Sequence, residues 1–377
     1  MKQVLIITGL ILSSLQAEAF RGVEFSIPSK DLKTHITGQI DYPTADCGPE
    51  KLPSVLIVSG TGFIYRDGFA GKSGTERDYI YRDLSKRFTQ NCVITVRYDY
   101  RGVLCDIKAK EDGAKCIDQK IRAEVTSENI QEDIESVYLY ALTQPQVDAG
   151  RFGILGHSEG TYNVAKLVSE KRVQPKTLLF MGAMLESPVT MIRWQMADRI
   201  FEYMFELDAN KDEVLTNEEI QAGFLTSNLI IFGKPDQFLH PEGSWKKEEE
   251  RTLLRSQYTQ YRKAVLLEDD KAPYITNSFV FASYKYWKMW FSETTPVLRL
   301  LADFQGPILI HNGDRDSQTP GLREQAYLQK YNWKIKSHVR FNLHPGKGHG
   351  LGNHPLIGPI DEAIADQMVQ DLKTALE

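Results

Sequence analysis

Along most of this chain, continuous apolar runs alternate with stretches of helical period. The runs Ser54 to Ser59, Val93 to Tyr98, Phe152 to Leu155, Thr177 to Met181, Pro307 to His311 and His338 to Leu343 suit strands buried on both faces. Between them, residues 76–90, 127–143, 160–171 and 321–331 carry amphipathic helical patterns, and a last one covers 359–376. Two earlier segments, 22–27 and 35–41, predict short antiparallel strands. Buried strands separated by helices need crossover connections, so the pattern predicts an α/β fold with a mostly parallel sheet covered by helices. The alternation stops over 185–303, where helical patterns and aromatics such as FASYKYWKMWF at 281–291 give no convincing strand. That stretch predicts a helical cap inserted between two parts of one core, 20–184 and 304–377.

The N-terminus modifies this picture. MKQVLIITGLILSSLQAEAF joins Lys2 to an apolar stretch from Val4 to Leu15 and the small-residue pattern Ala17-Glu18-Ala19, which predicts a signal peptide, residues 1–19, cleaved near Ala19. About a dozen apolar residues fall short of the roughly 20 that span a bilayer, and no later run is both longer and free of charge. A secreted or periplasmic protein without a transmembrane segment is therefore expected. The 377 residues are 42% hydrophobic and 25% charged, as in ordinary globular proteins, and the net charge of -5 offers no basic surface for nucleic acid. A small-molecule partner fits better.

Export lets cysteines pair. The four present, Cys47, Cys92, Cys105 and Cys116, allow three pairings. Cys105 and Cys116 share one irregular charged stretch, which favours a bridge closing it. Cys47 and Cys92 each precede an apolar run and would meet at one sheet edge if those strands are parallel neighbours.

Chemistry enters at Gly156-His157-Ser158-Glu159-Gly160, which follows the run RFGIL and precedes the helical TYNVAKLVSE. A G-x-S-x-G between strand and helix holds its serine out on a tight turn, where it can act as a nucleophile. Such a serine needs a base and the base an orienting acid, in the chain order Ser, Asp or Glu, His. NGDRDSQTP then offers Asp314 and Asp316, and HPGKGHGLG offers His344 and His349. No His-Glu-x-x-His or Cys-x-x-Cys spacing suggests a catalytic metal.

With Gly60-Thr61-Gly62-Phe63-Ile64-Tyr65-Arg66-Asp67-Gly68 and RYDYRGV at 97–103, the chain resembles serine esterases of the α/β-hydrolase superfamily. The resemblance implies the α/β-hydrolase fold and hydrolysis of carboxylic esters through an acyl-enzyme. It matches the acid to Asp316, in the Gly313 to Asp316 turn, and the base to His349, in a G-H-G turn, ahead of Asp314 and His344. It assigns His157 to packing. Main-chain oxyanion donors are expected from Glu159 and the Thr61-Gly62 turn. Ser59 stands where many relatives have histidine, a change of packing rather than chemistry. Arg66, Asp67, Asp99 and Arg101 are expected to brace these loops as a charged network. A peptidase or amidase would use the same triad, and a non-catalytic binding protein would keep only the fold.

Inside the cap, FELDANKDEVLTNEE resembles the calcium loop of an EF-hand. The ligand positions fall on Asp208, Asn210, Asp212, the carbonyl of Val214, Thr216 and Glu219, over residues 208–219, and imply structural Ca2+ with no organic cofactor. Glu213 stands where the motif wants glycine, at a cost of about 1–2 kcal/mol. No second loop of this spelling follows to pair with it.

Overall fold

The computed structural model describes residues 20–71, 73–108, 112–276, 278–330 and 333–377. The expected signal peptide lies outside the described residues. Strands β1 (Phe20–Pro28), β2 (His35–Pro43), β3 (Leu52–Val58), β4 (Ile94–Tyr98), β5 (Val147–His157) and β6 (Thr177–Met181) precede the cap. Within the cap lie β7 (Val214–Thr216), β8 (Ser244–Lys246), β9 (Pro273–Thr276) and β10 (Phe279–Ser283), and after it β11 (Ile308–Gly313) and β12 (Val339–His344). The eight core strands form one sheet in the order β1-β2-β4-β3-β5-β6-β11-β12, in which β2 alone runs against the others.

Strand period explains the two apolar layers. Val55 and Ile57 of β3 pack with Leu84 and Phe88 of the helix Ile80–Gln90 and Met368 and Leu372 of the helix Glu362–Leu376. Their neighbours Leu56 and Val58 face the opposite layer, with Ile134 of the helix Ser127–Leu142 and Val164 of the helix Glu159–Ser169. Helices on both faces bury the central strands, which is why these read as unbroken apolar runs.

The first expected helix begins later, at Ile80, because Glu76–Asp78 forms a separate 3-10 turn. The expectation of a strand-free cap is wrong: β7 pairs with β8 and β9 with β10. Strands of three to five residues are too short to show alternation through the surrounding helical pattern.

Cys47 joins Cys92 and Cys105 joins Cys116, with Cα–Cα distances of 5.7 and 4.9 Å. The first bridge follows from β3 and β4 being parallel neighbours. Among the described residues no helix is long and apolar enough to cross a membrane.

Candidate active site

At the end of β5 the backbone turns through Ser158, at φ 55° and ψ -121°, into the helix Glu159–Ser169. That conformation is costly for a residue with a Cβ and is held by the surrounding chain. Glycine at 160 is required by close approach, since a Cβ there would lie 2.5 Å from the carbonyl oxygen of Val58. The elbow is also pinned by the Ser158 N–H, which donates to Met181 O at 3.0 Å.

The loops after β11 and β12 bring Asp316 and His349 together. Asp316 Oδ1 accepts from the amides of Gln318 and Thr319 at 2.7 and 2.9 Å, and Oδ2 accepts from Thr319 Oγ1 at 2.9 Å. His349 Nδ1 lies 2.9 and 3.0 Å from the two carboxylate oxygens. A proton on Nδ1 satisfies this contact and leaves Nε2 as the basic nitrogen. Ser158 and His349 line one cavity of about 210 Å³, together with Thr61 and Glu159.

The other candidates lie in different networks. Asp314 accepts from the Gly346 amide at 2.7 Å, in an exposed contact. His344 Nε2 lies 3.0 Å from His311 Nδ1, and burial pushes its pKa down to about 4. His157 Nδ1 meets Tyr81 Oη at 2.7 Å, and burial holds the ring well below the usual imidazole range. It packs against His349 with ring centroids 4.9 Å apart.

The charged positions form ion pairs and hydrogen bonds among the loops around the Thr61-Gly62 turn. Arg66 grips Asp99 through Nε and Nη2, the latter at 2.7 Å, and donates Nη1 to Gly38 O at 3.0 Å. Arg101 pairs with Asp133 at 2.6 Å, and Asp67 pairs with Arg97.

Several residues at or beside the cavity carry little or no signal in the sequence. The side chain of Glu159, inside the elbow, is buried, and its Oε2 accepts from Thr61 Oγ1 at 2.6 Å and from Tyr286 Oη, in the cap, at 2.7 Å. Burial raises its pKa. Met191, Ile192, Trp287 and Trp290 of the cap wall the cavity, with Gln195 as a polar member. The aromatic run at 281–291 hinted at the tryptophans; nothing in the sequence singled out the others.

In the calcium-like loop, Asp208, Asn210, Asp212, Val214 and Thr216 lie between the helices Arg199–Phe205 and Asn217–Gly223, and Glu219 lies in the first turn of the second. Among the described residues, no three His, Cys, Asp or Glu side chains are spaced to hold a metal. Glu219 Oε2 accepts instead from the amide and hydroxyl of Thr216, at 2.9 and 2.8 Å.

No protein-family model and no curated protein matches the chain. Solved structures do. Est1E from Butyrivibrio proteoclasticus is 15% identical over 94% of this chain and 98% of its own, with a TM-score of 0.51. Est1E bound to ferulic acid gives 16% identity over 93% and 99%, at a TM-score of 0.52. The hypothetical protein PA2218 from Pseudomonas aeruginosa is 12% identical, with all of both chains covered and a TM-score of 0.51. This chain has the α/β-hydrolase fold. In that fold the eight-stranded sheet offers its strand ends to the loops that carry Ser158, Asp316 and His349, and the cap closes over them.

Proposed function

We propose that this chain is an exported serine hydrolase that cleaves small carboxylic esters through an acyl-enzyme. The observation that carries the reading is the buried Asp316–His349 contact beside the strained Ser158 on one cavity. His349 Nε2 takes the hydroxyl proton as Ser158 Oγ attacks the ester carbonyl, and returns it to the leaving alcohol as the C–O bond breaks. Asp316 orients the ring and stabilises its charged form. Water, deprotonated by the same nitrogen, then releases the acid and restores the serine. The amides of Glu159 and the Thr61-Gly62 turn receive the negative charge on the carbonyl oxygen. A cavity of about 210 Å³ with Met and Trp walls suits a short or slender acyl group. Two disulfides fit an oxidising, exported setting.

The test is fluorophosphonate labelling of Ser158 together with turnover of p-nitrophenyl acetate. Labelling at Ser158 with faster turnover of aminoacyl-p-nitroanilides would replace the esterase reading by a peptidase. Neither labelling nor turnover would leave a binding protein.

A further inference from the structure

The cap carries an arrangement that ester hydrolysis does not use. Strands β7 and β8 pair with Leu215 opposite Trp245, and the flanking hydrogen bonds repeat across the pair. Asn217 N donates to Gly243 O at 3.0 Å, and Lys247 N donates to Glu213 O at 3.1 Å. These residues occupy equivalent places in two windows, 208–219 and 238–249. In each window the third side chain accepts the amide of the fifth residue, Asn210 from Asp212 at 2.9 Å and His240 from Glu242 at 3.1 Å. The sixth residue is left-handed in both, Glu213 at φ 67° and Gly243 at φ 93°. Each window closes on a glutamate in the next helix, Glu219 in Asn217–Gly223 and Glu249 in Lys247–Leu267. The expectation of an unpaired loop is therefore wrong. The second window begins with Phe238, which supplies no side-chain ligand, so it forms the scaffold without the site.

The first window keeps its ligands. Asp208 Oδ2 accepts the Glu213 amide at 3.0 Å, while Oδ1 has no donor although the residue is only 8% exposed. A buried carboxylate oxygen without a partner is unfavourable unless a cation or a water meets it, and here it sits in a loop with the spelling of a calcium site. Calcium accepts amide, hydroxyl and main-chain oxygens beside carboxylates. To meet the ion, Glu219 must release Thr216, and Asp212 Oδ2 must release Asn210 Nδ2.

What lies behind Asp208 gives the site a consequence. The chain entering the loop runs helically from Pro188 through the π-turn Trp194–Asp198 to Phe205. Three side chains four residues apart share one face of it. Gln195 donates to Gln318 O at 2.9 Å, Arg199 to Ser317 O at 2.8 Å and Tyr203 to Asp316 O at a longer 3.5 Å. Tyr203 stands five residues before Asp208, in a helix that ends at Phe205, three residues before it. The helix Lys247–Leu267, which leaves the second window, backs the same segment: Arg255 pairs with Asp198 at 3.0 Å and Arg251 covers the Phe201 ring at 4.6 Å.

We propose that calcium bound in the 208–219 loop positions Asp316, through Gln195, Arg199 and Tyr203, and so sets the turnover of the enzyme. The effect on turnover rests on the proposed role of Asp316; the coupling itself does not.

Titration calorimetry with calcium chloride on the full mature chain should find one ion, and none in Asp208→Asn. Glu213→Gly should bind about tenfold tighter, because glycine tolerates the left-handed position, and loss of folding cannot mimic that gain. Chelator should lower kcat on p-nitrophenyl acetate about tenfold or more with KM within about twofold, since a misplaced acid loses transition-state stabilisation. Hydrogen exchange of segment 314–320 should slow with calcium, and Arg199→Met should keep calcium binding while losing that protection. Exchange protection without ester turnover would support the coupling and overturn the esterase reading instead. The proposal fails if neither the wild type nor Glu213→Gly binds calcium, or if bound calcium leaves both kcat and exchange of 314–320 unchanged.

Discussion

Core and cap meet at the cavity but are built differently. The core places Ser158, Asp316 and His349 on loops that leave three strands of one sheet, and local backbone bonds fix each of them. The cap reaches the same cavity through side chains: Tyr286 onto Glu159, Gln195 onto Gln318, and the walls Trp287 and Trp290. Both disulfides tie the core, and the cap has no cysteine. The difference teaches that the proposed reacting groups sit on the layer that sheet and disulfides tie together, while their surroundings come from side chains of a region no disulfide ties.

If the division is right, the largest losses come from core residues. Ser158→Ala is expected to cost roughly 10⁶-fold in kcat and to abolish labelling. Asp316→Asn should cost roughly 10⁴-fold, because the amide favours the wrong imidazole tautomer. Asp314→Asn should change kcat by less than about threefold, since its contact is an exposed turn. Equal losses at 314 and 316 would place the acid elsewhere.

Stability should divide in the same way. On chain-entropy grounds the Cys47–Cys92 bridge, with a separation of 45 residues, contributes about 4 kcal/mol, and the Cys105–Cys116 bridge, with 11, about 3 kcal/mol. Urea unfolding of the two double-serine variants should rank them in that order. Unfolding midpoints insensitive to both changes would mean the bridges staple nothing.

How much of this was legible follows from the same division. Central strands read clearly because burial on both faces makes them unbroken apolar runs, and the elbow was plain because strand, glycine turn and helix are consecutive. The cap hid its strands by their length and its second loop by its spelling: Phe238 and His240 stand where a calcium loop has oxygen ligands, so only the β7–β8 pairing exposes it. Glu159 gave no sign of its brace because Thr61 and Tyr286 lie 98 and 127 residues away. Contacts of that range leave no local pattern.

A smaller effect should appear where the cap touches the elbow. Tyr286→Phe removes one of two donors to Glu159 Oε2 and leaves the reacting groups intact. Losing one such hydrogen bond, about 1–1.5 kcal/mol, predicts roughly a tenfold fall in kcat/KM. A loss as large as that of Asp316→Asn would break the comparison by putting the cap into the chemistry.

The smallest effect tests the seam itself. Glu324, in the core helix Gly321–Lys330, is fully buried and accepts the amide of Leu185, where the chain leaves the core for the cap, at 2.7 Å. Burial, then the nearby Glu186 carboxylate, pushes its pKa up to about 8 from an ordinary value of 4.5. A raised folded-state pKa means that between these values the folded chain holds a proton the unfolded chain has released. The contribution is therefore complete below pH 4.5 and is lost as pH rises through about 8. Glu324→Gln keeps a carbonyl for Leu185 and removes the titration. Its Tm should match the wild type at pH 5 and exceed it by about 2 °C at pH 9. Scanning calorimetry across that range decides the matter: parallel pH profiles for the two proteins would show that Glu324 does not titrate at the seam, and that the Leu185 contact there holds whatever the pH.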